Sequence, residues 1–257
     1  MTKQLQAQYS NEFDFPLVKG RGNFACLHDN LETTCDMGTC KTTPTSSKFF
    51  CPYGVAKNPT LDAELAFEDS YGGMVFYQSQ SHCHYWSQKA NSINSPITLM
   101  NYDYAIAELN YVKHFGTRSL LILDEAHNIE NKLMSTMEVN VYNRTLERDI
   151  NKTISKETLK DGELEDWRME LEAIEESYRE IDLKDLSKNK IDRIRSTISR
   201  LKTLRENLEK EPKNWVIDSD EFGVSFKPLR VHHYAKNYLL KYGDVVIFMS
   251  ATILSHK

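Results

Sequence analysis

The 257-residue sequence has no apolar run of the roughly 18 residues that a membrane-spanning helix needs. Its N-terminus, MTKQLQAQYSNEF, lacks the apolar centre of a secretory signal. Positive charge is not in excess either, since 32 lysines and arginines stand against 37 aspartates and glutamates. We therefore predict a soluble cytoplasmic protein, or a nuclear one in a eukaryote, with no membrane partner. Any nucleic-acid-binding surface must be local.

No cysteine occurs after Cys83, and all five cysteines lie in the first third of the chain, at positions 26, 35, 40, 51 and 83. An odd number of cysteines without a signal peptide argues against a disulfide framework. The surrounding sequence, TTCDMGTCKTTPTSS, is polar and rich in turn formers, which is unlike a protein core. The clustering predicts that thiolates bind a metal ion or cluster, and buried inert cysteines are the alternative. Residues 1 to about 100 otherwise read as loop-rich, with little core of their own.

Two apolar runs predict buried parallel strands, because such strands are apolar on both faces. The first, Ser119–Leu123, leads directly into the tetrapeptide Asp124-Glu125-Ala126-His127, and the second, Val245–Met249, leads into Ser250-Ala251-Thr252. Functional groups of open α/β sheets collect at the carboxyl ends of strands. The sequence therefore predicts a site where these two strands end.

The residues at the two strand ends suit nucleotide chemistry. Asp124 can hold Mg²⁺ beside nucleotide phosphates, and Glu125 can orient and deprotonate the attacking water, with His127 as a third catalytic candidate. Ser250 and Thr252 can hydrogen-bond to the acidic pair and relay the nucleotide state to a moving element. The alternative is that both motifs are ordinary helix caps.

Residues 128–212 are highly charged and helical in period. Apolar residues recur every three or four positions at Trp167, Leu171, Ile174, Tyr178 and Ile181, and again at Ile191, Ile194, Ile198, Leu201 and Leu208. A break near 183–189 predicts an antiparallel helical hairpin. Its arm 161–182 is acidic and its arm 188–205 is basic, so the arms either pair with each other or the basic arm also contacts a nucleic-acid backbone. NWVIDSDEFGVSFKPLRV then predicts two short strands, and HHYAKNYLLK predicts a helix.

Several motifs resemble those of the DinG/XPD-like iron–sulfur helicases of superfamily 2. The cysteine segments are LVKGRGNFACLH, GTCK, FCPYGVAK and HCHYWSQKA, followed by SPITLMNYDYAIAEL and LILDEAHNIE. TKQLQAQY is similar to motif Ia of that family, and FKPLRV with VVIFMSATIL to the return into the first motor domain and motif III. The resemblance touches nearly the whole chain, although the central helices agree in character and position rather than in motif.

The resemblance implies an α/β fold: a partial RecA-like (P-loop NTPase) parallel sheet with an inserted loop-rich iron–sulfur domain and a mostly helical arch domain. It divides the chain into the start of the first motor domain (1–18), the cluster domain (19–95), the motor strand with DEAH (96–130), the arch (131–225) and the return to the motor (226–257).

The resemblance also implies a [4Fe–4S] cluster on Cys26, Cys40, Cys51 and Cys83. Cys35 is then spare, although it lies close enough in sequence to replace Cys40. Four thiolates suit such a cluster because each iron needs one external sulfur. Tetrahedral Zn²⁺ takes the same donors and is the alternative, for which His28, His82 or His84 is a further possible ligand.

Cations and aromatic rings near the cysteines predict binding of single-stranded or forked DNA, since cations hold phosphates and rings stack bases. The candidate residues are Lys19, Arg21, Phe24, Tyr53, Tyr85 and Trp86. Each ring has packing as its alternative role. By resemblance to motif Ia, Thr2 and Gln6 approach the single-strand backbone.

The sequence departs from the family pattern, because no G-x-x-x-x-G-K-[ST] string occurs in it. By the same resemblance, we expect the second RecA-like domain, with its ATP-site arginine, to lie outside this sequence. We therefore predict a segment of an ATP-dependent 5′→3′ DNA helicase that binds ATP and Mg²⁺ only in the complete motor and is inactive alone, with missing parts on separate polypeptides in the case of a split gene. The alternative is a non-catalytic module, bearing a cluster or zinc, that binds single-stranded DNA or docks a partner.

Overall fold

The computed structural model describes residues 3–58 and 62–251, so the predicted site residues Thr2 and Thr252 lie outside the described chain. The chain divides into two compact units. Unit 1 comprises Met1–Thr43, Lys48–Lys132 and His232–Lys257, and unit 2 comprises Pro44–Ser47 and Leu133–Val231. The five-part division predicted from the resemblance is finer than these units and stays a prediction.

The α-helices of the described chain are α1 (Lys3–Phe13), α2 (Thr39–Thr42), α3 (His84–Asn94), α4 (Tyr102–Ala107), α5 (Ile129–Met137), α6 (Asn143–Ile150), α7 (Lys156–Asp161), α8 (Leu164–Arg179), α9 (Lys188–Lys210) and α10 (His232–Tyr238). The strands are β1 (Val55–Ala56), β2 (Leu65–Glu68), β3 (Met74–Tyr77), β4 (Arg118–Leu123), β5 (Val139–Tyr142), β6 (Trp215–Asp220), β7 (Gly223–Pro228) and β8 (Gly243–Phe248). The fold is therefore mixed α/β. No helix of the described residues is both long enough and apolar enough to cross a membrane.

Strands β4 and β8 pair in parallel, which confirms the two strands predicted from the apolar runs. Their predicted burial is wrong for one whole face and for Phe248, which is 49% exposed, on the other. Leu120 lies opposite Val245 and Ile122 opposite Ile247, and these four side chains are between 42% and 57% exposed. We call them the exposed sheet face. In parallel sheets such residues normally lie under a helix layer, and no described residue provides one here.

Unit 1 also contains a small antiparallel sheet in the order β1-β3-β2. Phe67 of β2 and Val75 of β3 pack with Ala90 of α3 in a buried cluster. The expectation of a loop-rich region with little core is thus only partly right. The short strands were missed because four-residue runs such as LAFE and MVFY are too brief to show a clear period.

Unit 2 is built on the predicted helical hairpin of α8 and α9. The predicted apolar stripe is buried at Trp167, Leu171, Ile174, Tyr178, Ile191, Ile194, Leu201 and Leu208. Arg205 pairs with Glu172, and Arg168 Nη2 lies 3.8 Å from Glu209 Oε1. The contact of Arg205 with Glu172 confirms that the basic arm pairs with the acidic arm. The contact of Arg168, near the start of α8, with Glu209, near the end of α9, shows that the two helices are antiparallel.

The sheet of unit 2 has the order β5-β7-β6, with both pairs antiparallel. The β6–β7 hairpin was predicted, but β5 was not. The sequence did contain a signal for β5, the alternation of apolar and polar residues: Val139 and Val141 are buried, while Asn140 is exposed. Phe226 of β7 is fully buried and meets the edge of Trp167, which places the helical hairpin against this sheet.

The ion pairs of Glu175 give a first testable prediction. Its side chain is only 5% exposed, and it accepts from Arg179 at 2.5 Å and from Arg205 at 2.9 Å. We expect Glu175→Gln to lower the free energy of unfolding by about 1–3 kcal/mol, because it weakens two charge-assisted hydrogen bonds at a buried acceptor. The measurement is a urea titration followed by the helical circular dichroism signal.

The matched control is Glu165→Gln on the same helix. Glu165 pairs with Arg168 at 2.7 Å, but its side chain is 69% exposed. An exposed pair of this kind contributes less than about 1 kcal/mol, so the control should barely move the midpoint. Equal effects from the two substitutions would show that the buried position of Glu175 has no special role in the hairpin.

Candidate nucleotide and thiol sites

The DEAH motif forms the turn that follows β4. The backbone N–H of Glu125 donates to Asp124 Oδ1 at 2.9 Å, and the Tyr102 hydroxyl donates to the Asp124 carbonyl at 2.7 Å. The other carboxylate oxygen, Asp124 Oδ2, is buried and has no hydrogen-bond partner among the described residues. A buried carboxylate oxygen without a donor is a natural ligand for a cation.

Glu125 adopts a left-handed backbone conformation, with φ of 52°. This conformation is uncommon for a residue other than glycine and is frequent at functional turns. The turn continues into the 3₁₀ helix Ala126–Asn128, and the Ala126 N–H donates to the Met249 carbonyl at 2.9 Å. The DEAH turn is thereby tied to the end of β8, where the second predicted motif begins.

A side-chain contact joins the two motifs directly. His127 Nδ1 is hydrogen-bonded to Ser250 Oγ at 2.9 Å, and it also lies 3.4 Å from Glu125 Oε2. The sequence predicted a bond from the serine to the acidic pair, whereas the structure gives the bond to His127, which in turn contacts Glu125. The predicted meeting of the two strand ends is nonetheless present, because β4 and β8 are parallel neighbours.

Three of the five cysteines share a buried cluster. Cys26, Cys35 and Cys83 pack together with Tyr85. The sulfurs of Cys35 and Cys83 are 3.6 Å apart, and the Cys35 thiol donates to the Ala25 carbonyl at 3.5 Å. Burial, with a further contribution from Cys83, raises the pKa of Cys35 to about 12. Cys35, the predicted spare, therefore lies in contact with a predicted ligand.

The remaining two cysteines adjoin this cluster. A hydrogen bond with the Cys40 thiol, together with burial, raises the pKa of Cys51, and a charge on Cys83 would raise it further. None of the cysteines forms a disulfide. Among the described residues, however, no three histidine, cysteine, aspartate or glutamate side chains are placed to hold a metal ion together. The thiols are neighbours without forming a closed ligand shell.

Close packing around Cys26 depends on one glycine. A Cβ atom at Gly38 would lie 2.7 Å from Cys26 Sγ, so a larger residue would displace the sulfur. Beside it, Asp29 accepts from the Thr39 N–H at 2.8 Å and pairs with His28 Nδ1 at 3.0 Å. The hydrogen bond from His28 and then that from Thr39 lower the pKa of Asp29. His28 thus already has an acidic partner in the structure.

The donor set fits either candidate metal group. Thiolates are the ligands of both iron–sulfur clusters and structural zinc. Two sulfurs on one tetrahedral zinc lie about 3.8 Å apart, given Zn–S bonds of about 2.3 Å. The 3.6 Å separation of Cys35 and Cys83 is near that value, although Cys35 is the spare cysteine of the predicted ligand set. A [4Fe–4S] cluster instead binds each thiolate to a different iron, which requires ligand sulfurs that are more widely spaced than the Cys35–Cys83 contact.

The predicted DNA-contacting residues lie around the thiols, and their rings pack together. The Arg21 guanidinium lies 4.2 Å from the ring centre of Tyr85 and 5.0 Å from that of Trp86. Tyr85 is buried, and Phe24 and Tyr53 pack against the same cluster. The packing alternative therefore describes these rings in this structure, Tyr85 above all. Their part in DNA binding stays a prediction.

Two further candidate DNA-binding residues, Lys19 and Gln6, differ in exposure. Lys19 is exposed, and its backbone is held by two hydrogen bonds with the Gln88 side chain. Gln6 is buried, and its side-chain nitrogen has no hydrogen-bond partner among the described residues. A buried side chain does not reach a DNA backbone without rearrangement, so the structure does not place Gln6 at a DNA surface.

Comparison with known proteins gives a family for this arrangement. The DEAD_2 family model matches residues 7–146. Among solved structures, one described as XPD_Helicase is similar with 17% sequence identity and a TM-score of 0.35, covering 68% of this chain and 35% of the other. The chain thus spans about a third of the length of that structure. The family match covers more than half of the chain and confirms the resemblance stated above: the chain belongs to the DEAD_2 family.

Proposed function

We propose that this chain is a segment of an ATP-dependent DNA helicase that moves 5′→3′ along single-stranded DNA. Family membership supports a helicase-like function. The observation that carries the finer proposal is the hydrogen bond of His127 to Ser250, because it links the two strand ends at which ATP hydrolysis and movement would be coupled. The preferred substrate is single-stranded or forked DNA.

The residues of the DEAH turn have separable roles in this proposal. When bound, Mg²⁺ neutralises charge on the nucleotide phosphates, and Asp124 Oδ2 is the oxygen available to hold it. Glu125 orients the attacking water and accepts its proton. His127 contacts both Glu125 and Ser250, so it can report a change at the carboxylate to the end of β8. Thr252, which lies outside the described residues, is proposed to assist Ser250.

The exposed sheet face supports the view that further motor elements belong beside this segment. Its four apolar side chains lie on parallel strands, which are normally covered on both faces. We propose that β-strands and helices bearing the P-loop, with a second RecA-like domain, complete the ATP site, either in the same protein or on a separate polypeptide. This face disfavours the alternative of a self-sufficient binding module.

The thiol region is proposed to hold a [4Fe–4S] cluster on Cys26, Cys40, Cys51 and Cys83, with zinc as the alternative metal. The supporting observations are the proximity of all five thiols and the donation of the Cys35 thiol to a backbone carbonyl, as expected for the spare. The cluster would stabilise the segment where DNA strands part. Lys19 and Arg21 supply positive charge there for DNA phosphates.

Substituting Ser250 tests the proposed coupling. In the complete motor, Ser250→Ala should leave basal ATP hydrolysis nearly unchanged but lower unwinding of forked DNA by about tenfold, since it removes the bond to His127. Both activities are measured on the same preparation. Ser119→Ala, at the exposed start of β4, is the control and should alter neither. An unwinding rate that Ser250→Ala does not change would refute a coupling role for the contact.

A further inference from the structure

A fully buried ion pair lies in unit 1, away from the DEAH turn. Lys89 Nζ donates to Glu108 Oε2 at 2.6 Å, and the two side chains are 1% and 2% exposed. The residues are 19 positions apart and belong to different helical segments, α3 and the π-helix Glu108–Val112. Neither residue had been singled out from the sequence.

The surroundings of the pair are buried and aromatic. Lys89 Nζ lies 5.8–6.0 Å from the ring centres of Tyr85, Trp86 and Tyr104. On the other side, Glu108 Oε1 accepts from the backbone N–H of His114 at 3.0 Å. Burial would raise the pKa of Glu108, but His114 and Lys89 together hold it below its usual value. The carboxylate is therefore ionised and tightly held.

A buried ion pair adds little to the free energy of unfolding compared with apolar side chains in its place. Removing two charges from water is unfavourable, and a well-packed apolar pair of similar size is often equally stable or more so. In some proteins a buried ion pair instead selects a single arrangement, because each charge tolerates few other environments.

The position of Lys89 on α3 points to Cys83. Helix α3 begins at His84, and the Cys83 carbonyl accepts the N–H of Ser87 in its first turn. Cys83 is therefore joined to the start of the helix, and its own N–H donates to the Tyr53 carbonyl at 2.8 Å. Lys89 lies one and a half turns further on, where its bond to Glu108 fixes the rotation and height of α3. Glu108 in turn precedes β4, the strand that leads to the DEAH turn.

We propose that Lys89 is a positioning residue for Cys83: its buried bond to Glu108 holds α3 so that the Cys83 thiol faces the other cysteines. The proposal rests on the proposed metal-binding role of the thiols for its purpose. Its geometry concerns the protein chain alone, and it is therefore testable in metal-free protein.

The test is the rate at which iodoacetamide alkylates each cysteine of the full chain, kept reduced and metal-free and read by mass spectrometry. We expect Lys89→Met to speed alkylation of Cys83 by about tenfold, while the rate at Cys26 stays within about twofold, because the lost bond loosens α3 whereas Cys26 lies on a different segment of the chain. Lys132→Met is the matched control. It removes an exposed pair with Asp103 at 2.9 Å in the same unit and should change neither rate.

A second variant separates positioning from stability. Lys89→Met combined with Glu108→Leu replaces the pair by apolar side chains, so the thermal midpoint should recover while Cys83 stays fast. A return of Cys83 to the wild-type rate in that variant, or an equal increase at every cysteine in Lys89→Met, would overturn the proposal. If Lys89→Met does not fold, the alkylation rate of Cys83 in the apolar double variant tests the proposal by itself.

The proposed metal centre is tested by a separate result. Wild-type protein that binds neither iron nor zinc would refute the metal centre, whereas the selective exposure of Cys83 in the variants would still establish that Lys89 positions this thiol.

Discussion

Replacing Glu125 with glutamine should lower the rate of ATP hydrolysis by the complete motor roughly 10²- to 10⁴-fold. Glutamine keeps the size of the side chain and one acceptor oxygen, but it cannot accept the proton of the attacking water. The left-handed backbone at Glu125 is retained, since the change is confined to the side-chain end. Nucleotide binding should therefore remain, because Asp124 and its unpartnered oxygen are untouched.

The measurement is single-turnover ATP hydrolysis with excess enzyme, together with equilibrium binding of a fluorescent ATP analogue. Glu130→Gln is the matched control, since Glu130 is an exposed glutamate in the first turn of α5, five residues further along. The control should hydrolyse ATP at the wild-type rate. A Glu125→Gln enzyme that does so as well would show that Glu125 is not the catalytic base.

Replacing Cys83 with serine should abolish the proposed metal centre. Metal content should fall below about a tenth of the wild-type value, because a cluster with one thiolate missing is open to solvent and is lost. The thermal midpoint should fall as well, since metal binding contributes to folding free energy. The measurements are metal analysis of anaerobically purified protein and a thermal melt of the same samples.

Two cysteine variants serve as comparisons and decide the ligand set. Cys35→Ser should retain the metal, and Cys40→Ser should lose it as Cys83→Ser does. Both residues lie in the same neighbourhood of unit 1, so general disruption would affect both. Retention by Cys40→Ser with loss by Cys35→Ser would assign Cys35 as the second ligand in place of Cys40.

The confirmed sequence predictions rest on long apolar patterns, which are either periodic or continuous. The hairpin of α8 and α9 repeats an apolar stripe over many turns, and the runs of β4 and β8 are continuous. What the sequence could not show is how far these runs are covered. The exposure of Ile122 and Ile247 depends on which helices pack on the sheet. The sequence of an apolar strand is the same whether or not helices cover it.

The candidate nucleotide site, like the fold, was predictable only in part. The meeting of DEAH with Ser250 was predictable, because the carboxyl ends of neighbouring parallel strands lie side by side. The partner of Ser250 was not, because it depends on the left-handed turn at Glu125 that brings His127 forward. The Lys89–Glu108 pair had no sequence signal at all, since both residues look like ordinary surface charges.

The metal content of the wild-type chain tests the central claim most directly. Protein purified without oxygen should contain about four iron atoms and about four acid-labile sulfides per chain, with broad absorption near 400 nm, as a [4Fe–4S] cluster requires. One zinc per chain without sulfide would contradict the cluster while keeping the thiol site. Protein that retains neither metal would contradict the proposal that these cysteines form a metal centre.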